Sequence, residues 1–328
     1  MIRKKVLIFG ASGQIGKYCI RRLVRNNFKV IAVTRNIHQK GYILKTQAPI
    51  GYLDIEETNI NNHKKIRKLV EETDVCINLI GILYERGKNT FKKIHSEFPE
   101  LLSKICNEYK KNFIHVSALA LDEARDSKYA MSKINGEKKI KDNFPDATII
   151  KPSIVYSVDD NFTTRFMSLL NVLPFFPLYY NGQTKFSPVH VTDVADVINH
   201  VISNDIKNKE IEVIGPEIIS FKEIIKKILI SINKKRVLIP LPLFLAKISA
   251  TILQILPNPL ITKDQINLLK YDNVKSQNGF TNFDLGCPSK IFFDEALSKY
   301  AYNWRDGCLL YTSPSPRDQR GSRMPSSA

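Results

Sequence analysis

The sequence predicts an α/β protein: a doubly wound parallel sheet with a smaller C-terminal cap domain. Three observations predict it. Short apolar runs alternate with stretches of helical periodicity as far as residue 152, the pattern of a parallel sheet covered on both faces. The first run, residues 5–9, leads straight into Gly10-Ala-Ser-Gly13-Gln-Ile-Gly16, so three glycines fall on a strand-to-helix turn. From Ser153 the alternation breaks, and Pro, Phe and Tyr gather in residues 173–180 as in a loop-rich cap.

The glycine turn defines the sheet as Rossmann-type. Gly10 permits the sharp turn, Gly13 leaves room for a pyrophosphate against bare backbone, and Gly16 lets the following helix pack closely on the strand. The N–H groups at the helix start, and the helix dipole, then face the phosphates. Gly10, Ser12, Gly13, Gln14, Ile15 and Gly16 are therefore candidate cofactor-binding residues. The spacing G-x-x-G-x-x-G resembles that of the short-chain dehydrogenase/reductase superfamily.

Residues 29–34 read as the second strand, with Arg35 directly after it. An acidic side chain near this place suits the ribose 2′-OH of NAD(H), whereas an Arg, with its planar fork, suits a 2′-phosphate. The cofactor expected is NADP(H) rather than NAD(H). Residues 50–53 read as a third strand ending at Asp54, which the superfamily resemblance makes an adenine contact. A helix follows on Ile60, Ile66, Leu69 and Val70. Residues 75–80 form a fourth strand, 89–109 a helix and 113–116 a fifth strand.

Ser117 then lies at the carboxyl end of a strand, where such sheets place their ligands. Tyr129 and Lys133, four apart in Tyr129-Ala-Met-Ser-Lys133, share one face of a helix. In the superfamily's mechanism the Tyr hydroxyl exchanges the substrate proton. The Lys lowers the Tyr pKa and holds the nicotinamide ribose, and the Ser orients the carbonyl. Ser117, Tyr129 and Lys133 are the candidate catalytic residues, the last two also cofactor-binding.

Residues 148–152 are the sixth strand. Domain 1–155 binds the nucleotide, and 186–214 return to it through a strand and helix around Pro188–Asp193 and a strand at 211–214. His190 on that return reads as a packed residue. Residues 156–305 form the cap, in which Ser220 and Glu223 make a capping box for a helix carrying Ile224, Ile225, Ile228 and Leu229. Within 237–260, residues 243–256 make a helix of about 21 Å. That is too short for a hydrocarbon core of about 30 Å. Its polar stripe is only Lys247, Thr251 and Gln254, so it is expected to be buried or to dock on an anionic membrane or a partner. Residues 306–328, rich in Ser, Pro and Arg, resemble translated adapter read-through and are expected to be disordered.

Charge bounds the partners. Lys+Arg number 49 against 32 Asp+Glu, a net charge of +17, scattered as Lys-Lys pairs. That surface suits phosphates or an anionic leaflet. Nucleic acid is not expected, because no recognition motif accompanies the charge. The 5 cysteines form no C-x-x-C and no metal-ligand spacing, so reduced thiols and no metal are expected. The first strand follows Met1-Ile-Arg-Lys-Lys at once, so no signal or transit peptide is expected.

Several stretches together carry a more specific resemblance: Asn78-Leu-Ile-Gly-Ile-Leu-Tyr84-Glu, residues 91–97, Lys128–Glu137, Lys151-Pro-Ser-Ile-Val-Tyr156, Asp160-Asn-Phe162, Ser187–Asp193 and Ile239-Pro-Leu-Pro-Leu-Phe244. Over residues 4–305 the chain resembles the NAD(P)H-binding accessory subunit of respiratory complex I and its bacterial relatives, an atypical, epimerase/dehydratase-like branch of the short-chain dehydrogenases. The resemblance implies a tightly held NADPH with a mainly structural role and complex I subunits as partners. It implies a place on the cytoplasmic face of a bacterial inner membrane, or on the matrix side in a mitochondrion. Two departures from the wider superfamily touch the site. His95 stands where an Asn often completes the proton relay, and Ser157 replaces a Gly after the sixth strand. The other class of function is a free-standing NADPH-dependent reductase or epimerase/dehydratase acting on a small carbonyl or a sugar nucleotide.

Overall fold

A computed structural model describes residues 3–241 and 262–305. Its centre is a seven-stranded parallel sheet of β1 (Lys5–Phe9), β2 (Lys29–Thr34), β3 (Leu53–Glu57), β4 (Val75–Asn78), β5 (Asn112–Val116), β6 (Thr148–Pro152) and β11 (Glu210–Val213). The order is β11-β6-β5-β4-β1-β2-β3. The chain moves outward from β1 to β3, then crosses back to place β4 on the other side of β1. The switch point between β1 and β4 is the crevice where open α/β sheets bind ligands.

From Val6 to Phe9 β1 is apolar because both of its faces are covered. Val6 and Ile8 pack with Cys19, Ile20 and Leu23 of α1 (Gln14–Arg25) and with Val194, Ile198 and Val201 of α7 (Val191–Ser203). Leu7 and Phe9 face the opposite layer. There Ile66 and Leu69 come from α3 (His63–Glu71), Leu102 and Ile105 from α4 (Phe98–Glu108), and Ile140 from α5 (Lys128–Asn143). The short helix α2 (Ile37–Lys45) joins β2 to β3.

Three boundaries differ from the sequence reading. The third strand starts at Leu53 rather than residue 50. Residues 49–52 are spent on a turn, with Gly51 at φ +85 and Tyr52 N–H donating to Pro49 O at 3.3 Å. The helix expected at 89–109 is two pieces, a π-helix at Lys92–Glu97 and then α4. Pro99 has no N–H to give the His95 carbonyl four residues earlier, so the α-helical ladder opens there. The third difference is the supposed loop at 173–180. It contains β8 (Phe175–Tyr179), which pairs in parallel with β13 (Val237–Leu241). Its proline is tolerated because a two-stranded ribbon leaves one edge of each strand without a ladder.

The cap has its own core. Met167 and Leu170 of α6 (Thr163–Val172), Phe176 and Leu178 of β8, and Phe221, Ile224, Ile225 and Ile228 of α8 (Phe221–Ser231) pack with Phe293 and Leu297 of α10 (Phe293–Ser298). The Ser220–Glu223 capping box is present at the start of α8. Of the returning residues, β10 (Val189–His190) pairs with the short β7 (Val155–Tyr156), and β11 joins the central sheet beside β6. His190 is a packed helix cap: its Nδ1 accepts from Thr192 N–H at 3.3 Å, and its ring lies edge-on to Tyr156. The helix expected at 243–256 and the tail at 306–328 lie outside the described residues. Among the described residues no helix is long and apolar enough to cross a membrane.

Candidate functional site

The glycine turn closes against the loop after β4. Gly10 sits at φ +81, and a Cβ there would lie 3.0 Å from the Leu79 carbonyl carbon. On Gly16 a Cβ would lie 2.5 Å from Ala11 O, so any side chain would push α1 off the strand. Gly13 begins α1 without a side-chain cap, and no acidic residue occupies the first turn. The helix start therefore keeps N–H groups and partial positive charge for an anion. Ser12 is half-buried on the turn. The side chains of Gln14 and Ile15 are already committed. Gln14 donates to Ser157 Oγ at 2.9 Å across the carboxyl edge, and Ile15 packs on the core. What these two residues offer a ligand is backbone N–H.

At the far end of the crevice Arg35 lies exposed directly after β2, and no ion pair holds it among the described residues. Asp54 is a correction. It pairs with Ile31, three residues short of the end of β2, and so sits about 10 Å below the carboxyl edge. Its carboxylate is bound to Lys29 Nζ at 2.8 Å. The residues that reach the edge are Thr58, whose N–H donates to Thr34 O at 3.0 Å, and the exposed Asn59 after it. Asn62, the N-cap of α3, was the signal available in the sequence. Counting back from that cap puts the end of the strand near residue 58, not 53.

The helix α5 carries Tyr129 and Lys133 to the middle of the crevice. Lys133 is 5% exposed. No hydrogen bond or ion pair engages its ammonium among the described residues. A Cβ on Gly81 would lie 4.0 Å from Lys133 Nζ and 3.9 Å from His95 Nε2, so the cation rests against the loop after β4. Its Nζ is 5.7 Å from the Tyr129 ring centre. Burial pushes Lys133 down to about 8, against the opposing pull of Glu137 one turn later. A buried cation without a partner is costly. It is the group an incoming ribose hydroxyl would satisfy.

His95 is held at both ring nitrogens. Its Nε2 accepts from Ile82 N–H at 3.0 Å. Ser132 Oγ donates to Tyr129 O at 2.7 Å, so His95 Nδ1–H donates to Ser132 Oγ at 2.9 Å. Both ring nitrogens are spent, and burial, with Lys133 nearby, pushes its pKa down to about 3. Tyr129 packs edge-on against Phe91 and His95, and burial, reinforced by Asp264, raises its phenol pKa. At neutral pH it is a hydroxyl, not a base. Ser117 lies at the carboxyl edge as expected, with its hydroxyl engaged. Its Oγ donates to Glu137 Oε1, in a row that continues outward from Glu137 through Lys151 (2.8 Å) to the half-exposed Glu210 (2.6 Å). Ala118, Leu119, Ala120 and Leu121 follow, so no free hydroxyl on that turn can orient a carbonyl. The departure at Ser157 takes the side chain of Gln14 and anchors the glycine turn.

A nicotinamide dinucleotide fits these groups. Bare backbone and an uncapped helix start stand at one end, and then, without partners among the described residues, an Arg and a buried ammonium. Such a cofactor supplies a hydride acceptor or donor. The start of α1, Arg35 and Lys133 would hold it, and Tyr129 would stand beside it with a phenol hydroxyl.

The sequence matches the RmlD substrate binding domain family over residues 4–215. It is 30% identical to the mitochondrial NADH-ubiquinone oxidoreductase 40 kDa subunit of Neurospora crassa over 283 residues, 85% of this chain and 74% of that protein. It is 28% identical to the mitochondrial NADH dehydrogenase (ubiquinone) 1 alpha subcomplex subunit 9 of Mus musculus over 316 residues, 94% of this chain and 84% of that protein. Among solved structures, the triphenylmethane reductase of Citrobacter sp. complexed with NADP(H) superposes with a TM-score of 0.70 at 15% identity, over 90% of this chain and 99% of that one. The resemblance drawn from residues 4–305 is thus borne out, and the chain belongs to the RmlD substrate binding domain family, in the branch that includes the 40 kDa and alpha-subcomplex-9 subunits of complex I.

Proposed function

We propose that the protein is an accessory subunit of respiratory complex I that holds NADPH as a structural cofactor and does not turn it over. The observation that carries this reading is the contrast within the site. Among the described residues, nothing engages the groups that would grip a dinucleotide: the N–H groups of Gln14 and Ile15, Arg35 and the Lys133 ammonium. The groups that would orient a carbonyl and complete a proton relay, Ser117 and His95, are hydrogen-bonded to the protein. Tyr129 and Lys133 keep a reductase or epimerase alternative testable. Steady oxidation of bound NADPH by a panel of carbonyl compounds, abolished in Tyr129→Phe, would replace the holding reading with that one.

Arg35 supports the choice of NADPH. A hydrogen bond to a charged phosphate contributes roughly 1.5–3 kcal/mol, or about ten- to a hundredfold in affinity. NADPH is expected to bind at least about tenfold more tightly than NADH, and Arg35→Asp to remove the preference. Fluorescence titration of both nucleotides checks it, and equal affinities in the wild type refute it.

The docking surface we assign is the outer face of the β8–β13 ribbon, where Phe175, Val237 and Ile239 are exposed beside Lys234 and Lys235. An apolar face with a basic rim suits complex I at the membrane surface, on the matrix or cytoplasmic side. Native membranes dissolved in mild detergent provide the test. The wild type should migrate with complex I, and Val237→Asp with Ile239→Asp should release it with NADPH still bound. A wild type that elutes alone defeats the subunit reading.

A further inference from the structure

The start of α5 is held by a residue from the far end of the chain. Ser127 is the N-cap and accepts from Ala130 N–H at 3.2 Å. The two N–H groups before it, those of Lys128 and Tyr129, have no local partner. Both donate to the carboxylate of Asp264, at 2.8 and 3.0 Å. Ser127 Oγ donates to the same carboxylate at 2.9 Å. One side chain thus fixes the cap and the first two helical residues, and its negative charge sits where the helix dipole favours it.

Asp264 is itself fixed. It lies in α9 (Lys263–Leu268), whose start is locked by a reciprocal Thr262–Gln265 capping box. Leu268 and the following Tyr271 pack with Leu121, Ala130 and Tyr129. Asn273 Nδ2 donates to Leu119 O at 3.0 Å, and Asn273 Oδ1 accepts from Ser153 Oγ at 2.6 Å. Residues 262–273 therefore touch the turn after β5, the start of α5 and the turn after β6, all at the carboxyl edge. None of these contacts reaches α1 or Arg35.

We infer that Asp264 is a positioning residue for the nicotinamide half of the nucleotide site, fixing the helical turn that presents Tyr129 and Lys133 while leaving the adenosine half independent. The inference rests on the nucleotide-holding reading above. Tyr129 is the second residue of α5, inside the turn that frays first when its N–H groups lose their acceptors. Lys133 stands one turn further on. Coupling of this kind is reciprocal. A nucleotide gripped by Lys133 also steadies α9, and whatever draws α9 away loosens the nucleotide.

The test uses the full chain and two ligands. NADPH spans both halves of the site, and adenosine 2′,5′-bisphosphate fills only the adenosine half. Asp264→Asn keeps the size of the side chain, removes its charge and turns an amide toward the N–H groups. It should weaken NADPH about tenfold, the effect of losing a helix cap, and leave the bisphosphate unchanged. In the nucleotide-free chain, hydrogen exchange at the Lys128 and Tyr129 amides should quicken by about the same factor, with residues 11–16 unaffected. Should Asp264→Asn not fold, Ser127→Ala removes one of the three bonds and should give the same split at about threefold. If the variant weakens both ligands equally, or neither, the inference is overturned while the nucleotide reading stands. A wild type that binds neither ligand removes the nucleotide reading, and the inference with it.

Discussion

Lys133→Met is expected to abolish tight NADPH binding and, in the same protein, to leave the nucleotide-free fold as stable or more so. The two effects share one cause. In the free protein the Lys133 ammonium is buried and has no hydrogen-bond or ion-pair partner among the described residues, a standing cost that methionine removes without leaving a cavity. The gain should be on the order of 1 kcal/mol, or about 2 °C in melting temperature. The loss in affinity should approach a hundredfold, the upper end for a charged hydrogen bond. The pH dependence follows in sign. The folded-state pKa of about 8 lies below the ordinary value of 10.5. Between those values the unfolded chain binds more protons, so the free wild type gains stability as pH rises from 8 toward 10.5. NADPH prefers the charged lysine, so its affinity should fall over the same interval. In Lys133→Met both dependences should flatten. Thermal melts and titrations across pH 7–10 decide it, and unchanged NADPH affinity in the variant would remove Lys133 from the site.

Gly136→Ala should be strongly destabilising. A Cβ on Gly136 would lie 1.8 Å from the carbonyl oxygen of His95 and 3.0 Å from its carbon. Both partners are backbone, so relief requires α5 and the π-helix to part. Overpacking costs typically 1–3 kcal/mol, and a clash between two backbones belongs at the top of that range. We expect a loss of about 3 kcal/mol and roughly 6–10 °C. NADPH binding should weaken as well, because Lys133 is three residues earlier on the displaced helix. A melting temperature within 2 °C of wild type would show that the helices separate at little cost.

Gly136 also marks what the sequence could not reveal. Its role depends on Pro99 opening the helical ladder at His95, and on α5 crossing at that carbonyl. Neither is a periodicity, and the contacting residues, Gly136 and His95, are 41 apart. The glycine turn was legible because its meaning is local: strand, three glycines and helix are adjacent in the chain. Tyr129 and Lys133 were legible because a helix places residues four apart on one face. Asp54 was misplaced because Gly51 and the turn at 49–52 move the strand start three residues on, and alternation in so polar a strand gives no register. Ser117 had the right place but not the right partner. Glu137 captures its hydroxyl across 20 residues of sequence. Asp264 was invisible for the same reason, since a cap supplied from 135 residues away leaves no pattern near the helix it caps.

The parallel pairing of β8 with β13 has a consequence for how the chain is made. Phe175 is aligned with Val237, a separation of 62 residues, whereas β1, β2 and β3 follow one another in sequence and pair as neighbours. Loop closure over that distance must precede any reward from the ribbon, so the ribbon is a late event in folding. During synthesis, β8 emerges with Phe175 and Phe176 and no partner strand until residue 241 has followed. Through that interval an apolar edge stands open to other chains. Chains stopped before β13 should therefore aggregate, even though the first strands of the central sheet are already complete.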